Sequence, residues 1–145
     1  MIKKITMENI EEISNLFIKA FNGEPWNDEW TYETASKRLV DIINMPGYKG
    51  MAYYHEGALA GMIMGRDEQY FNGIHFQILE FCVDKNIQGK GFGRKLLTEF
   101  TEKLKNDGVE RIYLYTIHGP KTEGFYEKNG YVSDDDMLIM SKSIK

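Results

Sequence analysis

A glycine-rich turn from Gln88 to Gly93 (QGKGFG) lies between a long apolar stretch and a long amphipathic one. Its three glycines allow the backbone to turn tightly and to expose consecutive N–H groups. A helix that begins at this turn adds its own unpaired N–H groups and the positive end of its dipole. With Lys90, Arg94 and Lys95 beside it, the turn predicts a cradle for a pyrophosphate.

Three classes of ligand use turns of this kind, and the neighbouring residues separate them. A P-loop needs Gly-Lys followed by Ser or Thr, whereas Gly91 follows Gly89-Lys90 here. A dinucleotide fold needs the spacing G-x-G-x-x-G and an acidic residue at the end of the next strand. This chain has G-x-G-x-G, and its next predicted strand ends in Thr-Ile-His at residues 116–118. A strand-to-helix turn without any ligand is the simplest alternative.

The third class of ligand is indicated by two sequence motifs together, which occur in the correct order and at the correct separation. The turn QGKGFG matches the pattern Q/R-x-x-G-x-G/A, and residues 125–131 (FYEKNGY) match F-Y-x-x-x-G-F/Y. On these motifs and on the order of its elements, essentially the whole chain resembles the GNAT superfamily of N-acetyltransferases. The segment Glu24-Pro25-Trp26, together with Trp30, is similar to a bacterial subset that includes some aminoglycoside and small-amine acetyltransferases.

The resemblance implies that acetyl-coenzyme A (acetyl-CoA) is the cofactor and that no metal takes part. In the family the pantetheine arm lies where the long strand separates from its parallel neighbour, which here corresponds to Phe81, Cys82 and Val83. A backbone N–H at this place would polarise the thioester carbonyl, as an oxyanion hole does. The pyrophosphate would be bound by the turn and the start of its helix, namely Gln88, Gly89, Lys90, Gly91, Phe92, Gly93 and Arg94.

The implied reaction is direct attack of an amine on the thioester in a ternary complex. An alkylamine with a pKa near ~10.4 must first lose a proton, and Glu80 on the long strand is the candidate base. In other members the base lies three residues earlier, where this chain has Gln77. An amide cannot accept the proton, so Gln77 is expected to orient a water at most. Tyr126 matches the family tyrosine that protonates the leaving thiolate as general acid.

Candidates for contact with the acceptor are Trp26, Trp30, Gln77 and His118. In the family the corner that holds the two tryptophans forms one wall of the acceptor site, although packing between helices would explain them equally well. The acidic and aromatic first third favours a small cationic acceptor. An aminoglycoside, a polyamine, an amino-acid-like amine and a protein N-terminus or lysine stay open. A coenzyme A-binding regulatory module without turnover and a different nucleotide-binding protein are the alternatives from other classes.

The elements that must position these residues are predicted in the order β-α-α-β-β-β-α-β-α-β. Hydrophobic spacing, caps and turns predict them, and the last strand is expected at 137–143, after a strand at 111–117 and a short helix at 121–128. The predicted fold class is α/β (α+β), the GNAT acyl-CoA N-acyltransferase fold. Its sheet is mixed and mostly antiparallel, with splayed central parallel strands flanked by helices.

Length and composition limit the number of domains and the classes of partner that the chain can have. The chain has 145 residues, of which 42% are hydrophobic and 28% charged, which suits one N-acetyltransferase domain spanning 1–145. A net charge of −4 disfavours nucleic acid as a partner, and no apolar run is long enough for a membrane span. Cys82 is the only cysteine, so a cytoplasmic protein is expected. The histidines lack metal-ligand spacing. A homodimer stays open, because nothing in the sequence indicates an interface.

Overall fold

The computed structural model describes residues 1–145. Four helices and five strands follow the chain: β1 Ile2–Lys4, α1 Ile10–Phe21, α2 Tyr32–Ile43, β2 Tyr48–His55, β3 Ala58–Tyr70, β4 Gly73–Val83, α3 Phe92–Asn106, β5 Val109–Leu114 and α4 Glu123–Lys128. Short 3-10 helices precede α1 and follow β4. None of the helices is long and apolar enough to cross a bilayer.

The chain divides into two compact units, Met1–Leu114 and Tyr115–Lys145. The first unit holds one sheet with the strand order β1-β2-β3-β4-β5. Neighbours from β1 to β4 are antiparallel, and only β4 and β5 are parallel. This mixed, mostly antiparallel sheet with flanking helices confirms the predicted fold class. A single domain over residues 1–145 stays a prediction.

Helices cover both faces of the sheet in the first unit. Adjacent strand residues point to opposite faces, so each strand contributes side chains to both layers. On one face, Met62 and Met64 of β3 belong to a buried cluster with residues of α1 and α2, such as Phe17 and Leu39. On the other face, the ring of Phe76 on β4 meets that of Phe100 on α3 at 5.4 Å. The central strands are therefore apolar on both faces, as expected for strands with a helical layer on each side.

Helix boundaries follow the capping chemistry of the sequence. Thr31 begins α2 with a reciprocal capping box, in which the Thr34 amide donates to the Thr31 hydroxyl at 3.1 Å. Thr6 caps the 3-10 turn Met7–Asn9, and α1 begins only after that turn. The helix α3 closes before Gly108, whose φ of 91° is the left-handed value that a helix terminus favours.

The predicted last strand at 137–143 is wrong, since residues 131–145 form no strand. Its apolar side chains are exposed, and a strand without a neighbour has no ladder to hold it. The strand predicted at 111–117 occupies Val109–Leu114 instead, because its pairing with β4 ends at Leu114. The short helix is Glu123–Lys128, two residues shorter at its start than expected.

Candidate active site

The parallel strands β4 and β5 part before β4 ends. Their register stops at the pair Ile78 and Leu114, whereas β4 continues to Val83. The segment of β4 from residue 79 to 83 therefore pairs with β3 alone. This is the place where the family resemblance puts the reacting thioester, and it contains Glu80.

A β-bulge brings Gln77 and Glu80 to the same face of the sheet. Residues three apart on a regular strand point to opposite faces. In β4, however, Glu80 lies opposite Met64 and Gln77 lies opposite Arg66, and the bulge absorbs the extra residue. Because Met64 and Arg66 are two apart on β3, both β4 side chains project to the face that carries α1 and α2. Both positions considered for the base thus lie on one side of the sheet.

Glu80 is a largely buried carboxylate that a single arginine holds. Its side chain is 12% exposed, and Arg38 Nε donates to Glu80 Oε2 at 3.1 Å. Burial is the largest effect and raises the pKa of Glu80 to about 7; Arg38 opposes this rise, and the negative charge of Asp28 adds to it. A carboxyl group that titrates near neutral pH suits proton transfer, because both of its protonation states are populated there.

The turn after β4 has the conformation that its glycines predict. Gly89 and Gly91 have φ values of 86° and 83°, which favour glycine, and a Cβ at either place would meet nothing within 4 Å. The amides from Gly89 to Arg94 donate to no backbone carbonyl, and the first intrahelical bond is that of Lys95 to Gly91 at 3.0 Å. The Gln88 side chain ties the turn to β4 by donating to the Val83 carbonyl at 3.1 Å.

The turn fits a pyrophosphate. Open space stands over Gly89 and Gly91. The free amides of the turn lie at the N-terminus of the 15-residue helix α3, and Lys90 and Arg94 are exposed beside it. Helix N-termini of this kind bind anions through N–H groups and the helix dipole. Phe92 differs from its neighbours, because its ring packs on Tyr53 at 5.6 Å and on His55 at 4.6 Å. We therefore assign Phe92 the role of anchoring the turn, with only its amide available to a ligand.

Cys82 is a core residue. It is buried in the cluster that α1 and α2 form with the sheet, and burial, together with the charges of Glu80 and Asp84, raises the pKa of its thiol. A thiol of raised pKa is a poor nucleophile, since the thiolate is the reactive form. Val83 is buried as well. At both residues only the backbone is available to a ligand.

The loop between α1 and α2 combines aromatic packing with acidic groups. Trp30 packs edge-on against Phe17 at 4.9 Å, and its Nε1 donates to Asp28 Oδ2 at 3.0 Å. Trp26 packs against Phe21 at 5.7 Å. The rings therefore fix the loop, while the carboxylate of Asp28 is exposed and its charge acts on Glu80. The packing role of both tryptophans is observed, and contact with an acceptor stays a prediction.

The second unit carries Tyr126 and His118. Tyr126 lies on α4, where its ring meets those of Phe125 at 5.2 Å and Tyr131 at 5.5 Å. Burial raises the pKa of Tyr131 to about 12. The imidazole of His118 is fully open to solvent except for its 3.0 Å contact with Glu123. Their roles as general acid and acceptor contact stay predictions.

Sequence reasoning missed Arg38 and Asp28. Arg38 lies 42 residues before its partner Glu80, and nothing in the helical pattern of α2 marks it. Asp28 belongs to the acidic first third that favoured a cationic acceptor, which is the one available signal. No group of three or more His, Cys, Asp or Glu side chains is arranged to hold a metal.

Comparison with known proteins identifies the family and the fold. The family model described as "Acetyltransferase (GNAT) family" matches residues 10–131. A spermine/spermidine N(1)-acetyltransferase of Bacillus subtilis is 30% identical over 78% of this chain and 74% of its own. A GNAT family acetyltransferase of Staphylococcus aureus superposes with a TM-score of 0.75 at 20% identity, covering 99% and 98% of the two chains. An aminoglycoside acetyltransferase from an uncultured soil metagenomic sample, in complex with sisomicin, gives 0.76 at 15% identity over 100% and 96%.

Proposed function

Because this chain belongs to the GNAT family of acetyltransferases, and is thus an acyltransferase, we propose that it transfers the acetyl group of acetyl-CoA to the primary amine of a small cationic acceptor. The transfer is direct, within a ternary complex. The observation that carries this proposal is Glu80, a carboxyl group with a pKa of about 7 beside the point where β4 and β5 part.

The glycine turn supports acetyl-CoA as the cofactor. The free amides of residues 89–93 would hold the pyrophosphate, with Lys90 and Arg94 adding positive charge. The Gln88 amide already donates to the Lys85 carbonyl at 3.5 Å, so Gln88 would contribute by holding the turn in place. The backbone of residues 81–83 would lie along the pantetheine arm. When bound, the cofactor supplies an activated acetyl thioester; the residues of this chain orient it and move the protons. No metal is part of the proposal.

Glu80 supplies the base. Arg38 holds Oε2, which leaves Oε1 for the ammonium group of the acceptor. Oε1 takes one proton from that group, and the neutral amine then attacks the thioester carbonyl. Gln77 lies on the same face and orients a water where the acceptor does not reach Glu80 directly. Tyr126 then gives its proton to the departing thiolate, since a phenol of pKa ~10 can protonate a thiolate whose thiol titrates near ~8.5. The second proton, which the attacking nitrogen loses as the amide forms, returns to the phenolate of Tyr126.

A small cationic acceptor is favoured by the acids near the base. Asp28 and Glu80 lie close enough for the charge of one to raise the pKa of the other, and a second positive charge on the acceptor would relieve that repulsion. Trp26 and Trp30 would wall this site, with His118 as a further contact. The named activities of the relatives, on spermine and spermidine in one and with bound sisomicin in another, concern polycationic amines. We place the activity in the cytoplasm, without nucleic acid or membrane as partner.

The first experiment separates enzyme from binding module. Melting temperature is recorded with acetyl-CoA, coenzyme A, NAD and ATP; a ligand at ~100 times its Kd stabilises by ~2.7 kcal/mol, a shift of several degrees. We expect shifts with the two coenzyme A species alone, and thiol release with spermidine or an aminoglycoside.

The variant Tyr126→Phe should keep the melting shift and lose turnover by ~10²-fold or more. Tyr131→Phe is the matched control. It removes one phenol hydroxyl from the same unit and should not lower turnover. A melting-temperature shift with NAD or ATP alone would contradict acetyl-CoA as the cofactor. Full turnover in Tyr126→Phe would contradict the general acid, and a shift without turnover on any amine would favour the regulatory module.

A further inference from the structure

Arg66 of β3 and Gln77 of β4 form a cross-strand pair on the face of the sheet that carries Glu80. The two residues are partners in the antiparallel ladder, so their side chains project to the same face. Met64, the partner of Glu80, lies two residues before Arg66 on β3, which sets the pair about 7 Å along the strands from Glu80. An acceptor whose amine lies at Glu80 can therefore reach the pair with a group a few bonds away from that amine.

Both side chains keep hydrogen-bonding groups that the rest of the chain does not use. Gln77 is 8% exposed, and its amide has no hydrogen-bond partner. Arg66 Nη2 donates to Glu68 Oε2 at 3.1 Å, whereas Arg66 Nε is buried and has no partner. A buried polar group without a partner lowers stability and is uncommon in folded proteins. The pair is therefore a candidate binding site, at which a ligand supplies the missing partners.

Glu68 compensates the positive charge of Arg66. Besides this ion pair, Glu68 Oε1 accepts a hydrogen bond from the Tyr113 hydroxyl at 2.5 Å, so each oxygen of the carboxylate already has a donor. A carboxylate on the ligand would meet Glu68 as a like charge, and an ammonium group would meet the guanidinium of Arg66 as one. The pair therefore favours a neutral polar group over a charged one.

We propose that Arg66 and Gln77 form a subsite for a hydroxyl group of the acceptor, so that the preferred substrate is a hydroxylated amine. A hydroxyl both accepts and donates, so it accepts a hydrogen bond from Arg66 and donates one to the amide oxygen of Gln77. An acceptor with both further ammonium groups and hydroxyls suits Asp28 and this subsite together. The inference rests on the proposed function, because Glu80 places the reacting amine.

Four five-carbon primary amines that differ only at the far end test the subsite: aminopentanol, pentylamine, diaminopentane and aminopentanoate. For the unaltered protein we expect kcat/KM for aminopentanol to exceed that for pentylamine by about tenfold. Arg66→Met should abolish this preference without lowering the ratio of diaminopentane to pentylamine, and Gln77→Leu should weaken the preference. Because the amines are compared on one preparation of each variant, the ratios do not depend on how much of that variant folds.

Glu68→Gln tests the role of charge in the subsite. The substitution leaves the guanidinium of Arg66 without its counter-charge, so aminopentanoate should gain about fivefold in kcat/KM relative to aminopentanol. Arg111→Met is the matched control. Arg111 lies on the same face with its guanidinium over the ring of Tyr113 at 5.4 Å, and its loss should leave the ratios of the unaltered protein in place.

The outcomes separate the subsite from the reaction. An unchanged preference for aminopentanol in Arg66→Met, or a preference of the unaltered protein for pentylamine or aminopentanoate, would overturn the subsite. Absence of turnover with all four amines would instead contradict the proposed function. Nuclear magnetic resonance then decides the subsite by itself: aminopentanol should shift the backbone amide signals of Arg66 and Gln77 in the unaltered protein but not that of Gln77 in Arg66→Met. No shift in the unaltered protein would refute the subsite.

Discussion

At the scale of single residues, the environment of Glu80 determines what its carboxyl group can do. A solvent-exposed glutamate is ionised at neutral pH and a weak base. Burial on β4 disfavours the charged form of Glu80, and Asp28 disfavours it further, while Arg38 keeps it from remaining protonated throughout. The balance leaves both protonation states of Glu80 populated at pH 7, which is what the proposed role as the base requires.

The pH dependence of turnover follows from this balance. The pKa of Glu80 is raised, so the ionised base is lost as pH falls through about 7; with saturating substrates, kcat should fall tenfold per pH unit below that value. Glu80→Gln should remove this fall of kcat toward low pH, the acid limb of the profile, and should lower kcat by ~10²-fold. The pH profile of kcat checks both. A profile of Glu80→Gln that keeps the limb near pH 7 would assign it to another group.

Arg38→Met is the matched variant for Glu80→Gln, because it shifts the pKa of Glu80 and keeps its carboxyl group. Arg38 lowers the pKa of Glu80, so its removal should move the limb to higher pH and leave kcat at high pH almost unchanged. A limb at the same pH in Arg38→Met would show that the observed titration does not belong to Glu80.

At the scale of elements, the junction of β4 and α3 joins rigid parts at the turn. The amides of the turn point where they do because Gly89 and Gly91 adopt left-handed φ values, and because Phe92 and Gln88 attach the turn to β2 and β4. A preformed set of donors binds an anion without the entropy of ordering a flexible loop. The turn is thus a structural feature of the helix start, and it is also the pyrophosphate site that we propose.

Two glycines at opposite ends of α3 separate these roles. Gly91→Ala and Gly108→Ala meet the same strain, since both φ values lie in the left-handed region and neither Cβ would meet an atom within 4 Å. Each should lower the free energy of unfolding by about 1 kcal/mol. Only Gly91→Ala should also weaken coenzyme A binding, by about tenfold. Urea unfolding and calorimetric titration measure the two effects. Equal coenzyme A affinities in the two variants would argue against the turn as the pyrophosphate site.

At the scale of the whole molecule, charge favours cationic acceptors. The chain carries a net charge of −4 and has a pI near 5.4, so its field attracts polyamines and aminoglycosides from solution. The attraction acts over a Debye length of about 10 Å at 0.1 M salt. Exposed acids near Glu80 contribute most to it, and distant acids contribute little.

Salt dependence should therefore distinguish polycations from simple amines. The KM for spermidine should rise several-fold between about 0.05 and 0.5 M salt, while kcat stays constant, because screening weakens attraction without changing the chemical step. Asp28→Asn should raise KM by about two- to fivefold and reduce the salt effect. Asp41→Asn, at an exposed acid of α2 paired with Lys37, is the control. A KM that does not change with salt would contradict a polycationic acceptor.

The amino-acid sequence by itself determined the local features. Glycine spacing predicted the turn because left-handed φ values favour glycine, and Thr31, Gly108 and the hydrophobic periods predicted the helices and the sheet strands. Glu80 could be named as a candidate base because the family motifs align the chain. These features depend on neighbours within a few residues.

Only the tertiary structure decided the features that depend on distant contacts. The bulge that turns Gln77 and Glu80 to one face, the Arg38 contact and the pKa of Glu80 arise from β3 and α2 packing on β4. The segment at 137–143 has a strand-like sequence but no strand, because a strand needs a neighbour to share its hydrogen bonds. A sequence states the preference of each residue for an element, whereas burial, pairing and charge are properties of the residues that folding brings beside it.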